Sequence, residues 1–180
     1  MRQTKPTKGV RLITPRITAL ITTLDKRGGV NAAPYSWVYP VSFDPPLVGI
    51  GVCGKHKHTY LNAKDKGEFV VNIVSEDFGQ KAVFCEERHK PGVNRIEKFG
   101  LGIEDSEKVD VPRIKESRAI LECKVKDIIE IKDSDHLILI GEIVAAQSAG
   151  GIDDIKPLMH DGGSKFRLVG REIGLERKKA

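Results

Sequence analysis

Gly49-Ile50-Gly51-Val52-Cys53-Gly54 matches Gly-x-Gly-x-x-Gly, the glycine spacing that opens a dinucleotide-binding fold, and Glu76 follows at a suitable distance after a strand-like run. How this stretch is read decides the fold. In a dinucleotide-binding unit a strand precedes the first glycine, and a crossover helix opens at the glycines and buries an apolar stripe on the sheet. Here only Leu47 and Val48 separate Pro46 from Gly49. The segment that follows, Lys55-His56-Lys57-His58, leads into a helix too short and too polar for that task. The context favours a different reading, in which Ile50 and Val52 are period-two residues of a strand and the glycines let a ligand approach the backbone.

Outward from this strand the chain is β-rich. Residues 16–24 alternate Ile17, Ala19 and Ile21 with Arg16, Thr18 and Thr22, and Asp25-Lys26-Arg27-Gly28-Gly29 supplies a turn. Residues 30–42 resume the β pattern until Asp44-Pro45-Pro46 breaks it. Residues 59–66 read as a short helix with Thr59 as its N-cap and Gly67 just past its end, and residues 68–74 as a buried strand. Ser75 is expected to cap a helix running to Cys85. Residues 86–98, with Pro91-Gly92 in the middle, read as a surface loop entering a short helix near Ile96. Residues 118–132 and 136–147 form a long hairpin about Asp133-Ser134-Asp135, with Glu122, Lys124 and Lys126 on a wet face, and Phe166, Leu168 and Val169 mark a last strand. Many strands with few, short helices point to a closed antiparallel barrel, because closure removes exposed edges.

Composition limits the function classes. The chain has 180 residues, 39% apolar and 31% charged, enough for one domain with a core of its own. No stretch is long and apolar enough for a membrane helix, and the N-terminus lacks the apolar segment of a signal peptide, so a cytoplasmic protein is expected. The net charge of +5 sits in the ends: residues 1–16 carry +5 and residues 165–180 carry +4, which leaves −4 on the body. A nucleic-acid groove needs a basic face on the folded body, so no nucleic-acid partner is expected. Cys53, Cys85 and Cys123 are far apart and read as buried or half-buried free thiols. His56-x-His58 lacks a nearby carboxylate or third histidine, so no metal is expected there.

Two segments offer binding chemistry. Asn31-Ala32-Ala33-Pro34-Tyr35-Ser36-Trp37 combines small residues, which leave a thin apolar slot, with the polar tips of Asn31, Tyr35 and Ser36. That suits a flat ring with a polar edge, and it equally suits an ordinary strand facing a crowded barrel interior. Lys55-His56-Lys57-His58-Thr59 stands at a strand end before a helix, where cations, hydroxyls and the helix dipole can hold a phosphate, or where a basic loop is simply solvated. No general acid, base or nucleophile constellation is visible, so the catalytic residues stay unknown.

These segments, in order with Ser42-Phe43-Asp44-Pro45-Pro46-Leu47-Val48, Gly67-Glu68-Phe69-Val70-Val71-Asn72, Asn94-Arg95-Ile96-Glu97-Lys98-Phe99, residues 136–143 and Asp161-Gly162-Gly163, resemble the flavin reductase-like family of FMN-binding split β-barrels. The resemblance spans roughly residues 14–170 and extends to flavoredoxin-like proteins. It implies a mainly β fold, a split antiparallel β-barrel with a few short helices, as a single FMN-binding domain over 1–180 with tails at about 1–12 and 171–180. It implies a homodimer that binds FMN non-covalently and an oxidoreductase moving electrons from NAD(P)H or a protein donor. The alternative is a non-enzymatic FMN-binding or electron-carrier protein. By that resemblance Asn31, Ala33, Pro34, Tyr35 and Ser36 face the ring, Gly51, Val52 and Cys53 lie beside it, and Lys55, Lys57 and Thr59 hold the phosphate. Relatives often carry an arginine and an acidic residue where this chain has His56 and His58.

Overall fold

Alternation along the chain becomes antiparallel pairing. In the computed structural model, which describes residues 3–87 and 94–175, one exposed helical turn, α1 (Pro6–Gly9), and a 3-10 turn (Val10–Leu12) precede β1 (Arg16–Ile17) and β2 (Ala19–Leu24). Then come β3 (Val30–Tyr35), β4 (Val38–Phe43), β5 (Pro46–Cys53), α2 (His58–Lys66) and β6 (Glu68–Ile73). A 3-10 turn (Glu76–Phe78) runs into α3 (Gly79–Phe84), and α4 (Arg95–Lys98) leads to the short strands β7 (Ile103–Glu104) and β8 (Arg113–Ile114). The long hairpin is β9 (Ala119–Glu130) and β10 (His136–Ser148), followed by α5 (Ile152–Ile155), β11 (Leu158–Gly162) and β12 (Lys165–Leu168). The expected Pro91-Gly92 loop centre and the basic residues Arg177, Lys178 and Lys179 lie outside the described residues.

Seven strands form one sheet in the order β3-β2-β6-β9-β10-β5-β4, and β1-β11-β12 form a second. The barrel is therefore split, as the family resemblance implies, rather than closed as the strand pattern alone suggests. Its two edges, β3 and β4, are consecutive in the chain and joined only through Ser36-Trp37. Each carries a proline, Pro34 and Pro40, and a residue without an N–H fits an edge better than a central strand.

Three apolar clusters hold the sheet. Inside the curve, Ala19, Ile21, Ile50, Val52, Phe69, Val71 and Leu139 pack together with Tyr60 and Ala63 of α2. Gly141 belongs to this packing, because a Cβ there would come within 2.7 Å of the Phe69 ring and 3.0 Å of Cys123 Cβ. On the opposite face Leu20 and Ala32 meet Phe78, Ala82, Cys85 and Ile96 from the helical segments. Val109 and Val111 cover Val70 and Ile120. This third cluster corrects the expected wet face of β9. Lys124 and Lys126 are exposed, but Glu122 is buried under the 103–114 segment and accepts the backbone N–H groups of Glu107 and Lys108 at 2.7–3.0 Å.

Helix ends also depart from expectation. Lys57, not Thr59, is the residue at the start of α2; Thr59 lies in the first turn and is buried. Gly67 ends the helix in the left-handed region at φ 75°, as its position past Lys66 requires. Ser75 stands before the 3-10 turn without a capping bond, whereas Asn94 caps α4 by accepting from the N–H groups of Ile96 and Glu97.

Candidate functional site

The glycines of β5 make room for rings of this chain. A Cβ at Gly49 would lie 2.6 Å from the Tyr39 ring and one at Gly51 would lie 2.8 Å from the Trp37 indole. Gly51 N–H also donates to Trp37 C=O at 2.8 Å, so the indole is laid across the strand by a backbone bond and by the missing side chain. Gly54 turns the chain out of β5 with φ +87°. The Gly-x-Gly-x-x-Gly spacing is thus two ring-bearing positions and a turn.

Along the free edge of β3 these features line a cleft of about 680 Å³, within the size range of small-molecule sites. Asn31, Ala33, Pro34 and Tyr35 of β3, Ser36 just after it, Gly51 and Cys53 of β5, and Lys57 and Thr59 at the start of α2 all line it. Val52 and Lys55 do not. Val52 alternates inward and is fully buried in the inner cluster. Lys55 pairs with Glu130 and faces a neighbouring hollow lined by residues 130–137.

The polar groups are organised. Asn31 Nδ2 donates to Thr23 Oγ1 and Thr59 Oγ1, each at 3.3 Å, which ties β3 to the first turn of α2. That helix begins without a side-chain cap, and its first residues, Lys57, His58 and Thr59, line the cleft. Ser36 Oγ lies 2.8 Å from His160 Nδ1, while His160 Nε2 lies 3.0 Å from Gly163 C=O. A carbonyl only accepts, so Nε2 carries the proton and, in the neutral ring, Ser36 donates to Nδ1. Burial raises the Tyr35 hydroxyl above its ordinary value, partly offset by its hydrogen bond with Thr59.

Trp37, His56 and His58, which belong to the two segments read from the sequence, also line the cleft, and Cys85, Glu86, Arg95 and His136 join them from outside those segments. Trp37 stacks on His136, with centroids 4.3 Å apart. Arg95 enters from α4 and donates to Cys85 C=O at 2.9 Å, and Cys85 and Glu86 complete that wall. His136 arrives by cross-strand register opposite Cys53. Of the three free thiols only Cys53 departs from expectation. Cys53 is exposed, while Cys85 and Cys123 are buried and their thiols pushed up by desolvation, Cys85 to about 11.

Residues 11–168 match the flavin reductase like domain. The chain belongs to that family.

An uncharacterized protein of Halalkalibacterium halodurans is 35% identical over 181 residues, covering 92% of this chain and 87% of its own. Among solved structures, nitrilotriacetate monooxygenase component B from Bacillus cereus superposes with a TM-score of 0.89 at 28% identity, covering 97% of this chain and 98% of the other. The 2-nitrobenzoate 2-nitroreductase NbaA of Pseudomonas fluorescens gives 0.83 at 28% identity, over 97% and 93%. The flavin reductase-like fold thus runs almost the whole length of the chain. Among the described residues no helix is long and apolar enough to cross a membrane.

Proposed function

We propose that this flavin reductase-like protein binds FMN non-covalently in the β3 cleft and passes electrons through it, taking them from NAD(P)H or a protein donor. One observation carries the reading: the uncapped start of α2, with Lys57 beside it, opens on the same cleft that Ala33, Pro34 and Tyr35 line with apolar surface. The donor set fits the group. A phosphate is met by helix N–H groups and cations, including Arg95, and a flat ring by small residues with the polar tips of Asn31 and Tyr35. Bound flavin supplies the hydride and single-electron chemistry; the protein binds, orients and shields it. The names of the two superposed structures, a monooxygenase component and a nitroreductase, support an oxidoreductase role.

A homodimer is part of the same reading. Edge strand β4 leaves Tyr39, Val41 and Phe43 exposed along its length, with a bulge between Pro40 and Ser42, and Phe43 is 97% exposed. A row of large apolar side chains on an open sheet edge needs a covering partner. A second copy of this chain would cover it and add a wall to the cleft.

The test is direct. Protein purified without added flavin is denatured and its released cofactor identified, and the native protein is then mixed anaerobically with NADH or NADPH. Released FMN and bleaching of the flavin absorbance are expected. FMN that neither nucleotide reduces at a catalytically useful rate favours the carrier. Absence of any flavin affinity overturns both readings.

A further inference from the structure

Cys53 and His136 face each other across the β5–β10 ladder as its terminal pair, and Asp135 is the residue before His136 in the hairpin turn. One ligand atom of each, the Cys53 sulfur, a His136 ring nitrogen and an Asp135 carboxylate oxygen, lies within 4.8 Å of the others. His136 Nδ1 is 2.7 Å from Asp135 Oδ1. These residues are 83 positions apart at most in sequence and share no spacing motif, so only the strand register reveals them. From this geometry we infer that Cys53, Asp135 and His136 form a site for a borderline-soft divalent cation of the zinc type.

The chemistry selects the ion class. A thiolate, an imidazole and a carboxylate are the donors that zinc takes together, whereas magnesium and calcium take oxygen alone. A tetrahedral ion holds such atoms roughly 3.3–3.8 Å apart, so Asp135 Oδ1 and His136 Nδ1, 2.7 Å apart, have to part by roughly half an ångström or more to admit it. The exposed Asp135 side chain can make that adjustment. The imidazole is already held, because Trp37 stacks on one of its faces. The ion would bind neutral His136 through Nδ1, with the ring proton on Nε2, and the Cys53 thiol would release its proton to solvent as the metal–sulfur bond forms.

The site adjoins the cleft without depending on the flavin assignment. Cys53 and His136 line the cleft, while Asp135 and His136 line the neighbouring hollow, so the ion sits on the rim between them. Three protein ligands leave a fourth position for water or an oxygen-bearing substrate, the arrangement of reactive rather than purely structural zinc sites. Of the two lysines that line the hollow, Lys55 and Lys132, the first is paired with Glu130. Neither of the other two thiols competes, since both are buried.

The chain carries one tryptophan, and it is the one stacked on His136, which provides a reporter. Chelator-treated full-length protein is titrated with zinc chloride, and bound metal, Trp37 emission and Cys53 alkylation are followed. Expected are one zinc per chain, a change in Trp37 emission that saturates with it, and protection of Cys53 from iodoacetamide. Cys53→Ser and His136→Ala should each weaken binding by at least about tenfold. The alkylation arm uses the unmodified chain and stands even if a variant fails to fold. No zinc bound at micromolar concentrations, or zinc bound without protecting Cys53, overturns the site. So does equal affinity in the parent and both variants.

Discussion

The Trp37 indole lies on the His136 imidazole with planes 16° apart, so a residue of the β3–β4 link and the first residue of β10 form one stacked unit. An aromatic stack of this kind is worth about 0.5–1.5 kcal/mol beyond its burial. His136→Ala is expected to lower the unfolding free energy by about 1 kcal/mol and to red-shift Trp37 emission as water reaches the freed ring. Urea unfolding followed by fluorescence reads both; an unchanged spectrum would show that the stack does not order the indole.

Two glycines separate site geometry from core packing. Gly141→Ala drives a methyl against Phe69 and Cys123 inside the barrel, and overpacking of this kind costs about 1–3 kcal/mol. Gly51→Ala meets Trp37, a partly exposed side chain that can move. Its stability should change less, while its flavin affinity falls because the indole swings into the cleft. Melting curves alongside flavin titrations distinguish the two, and similar effects from both substitutions would contradict this assignment.

Phosphate recognition is tested by comparing FMN with riboflavin, which lacks the phosphate. Two charge-assisted hydrogen bonds favour FMN by roughly two to four orders of magnitude in affinity. Lys57→Ala should erode that preference, and Arg95→Lys should keep part of it. Lys55→Ala should leave it intact, because Lys55 is engaged by Glu130 outside the cleft. A loss of FMN preference in Lys55→Ala alone would return the phosphate to the other side of the loop.

The cysteines should differ in reactivity and in pH behaviour. Burial holds the Cys85 thiol at about 11 against an ordinary 9.0, with the nearby Arg95 charge acting in the opposite direction, so it stays protonated at pH 8. Native alkylation at pH 8 is expected to label Cys53 alone. The raised value also has a stability sign: the contribution of the neutral Cys85 thiol is complete below about pH 9 and is lost as pH rises toward 11. Cys85→Ala should flatten the alkaline part of a stability–pH curve, and an unchanged slope there would count against the assignment.

The exposed row on β4 makes the assembly testable with one charge. Phe43→Asp places a carboxylate at the most exposed large apolar position, where it leaves the monomer core untouched. Light scattering should show the parent as a dimer and the variant shifted toward monomer. A variant that remains fully dimeric would place the contact elsewhere.

Much of the fold was legible because its signals are local. Period-two alternation marked the main strands, Asp133-Ser134-Asp135 marked the long hairpin, and Gly67 marked the end of α2. The split followed from the family resemblance rather than from the strand pattern, although Pro34 and Pro40 already stood where the edges fall. For the cleft, residues contiguous with Tyr35 and Thr59 could be read from composition. Arg95, His136 and His160 could not, since each reaches its neighbours through pairings or helix placements distant in sequence. Glu122 misled for a related reason: alternation predicts which face it takes, but not that residues 103–114 later cover that face.

The seam between β3 and β4 has a kinetic consequence. No ladder bonds the two edge strands to each other, and Ser36-Trp37 is the link between them. A molecule entering or leaving along the free edge of β3 therefore breaks no row of interstrand hydrogen bonds. A flavin bound as proposed would then exchange at this edge without local unfolding, and Lys57 and Arg95 of the cleft would set the charge dependence of that exchange. Amide protons of the inner β6–β9 pairing should stay protected on the timescale over which the cleft empties and refills.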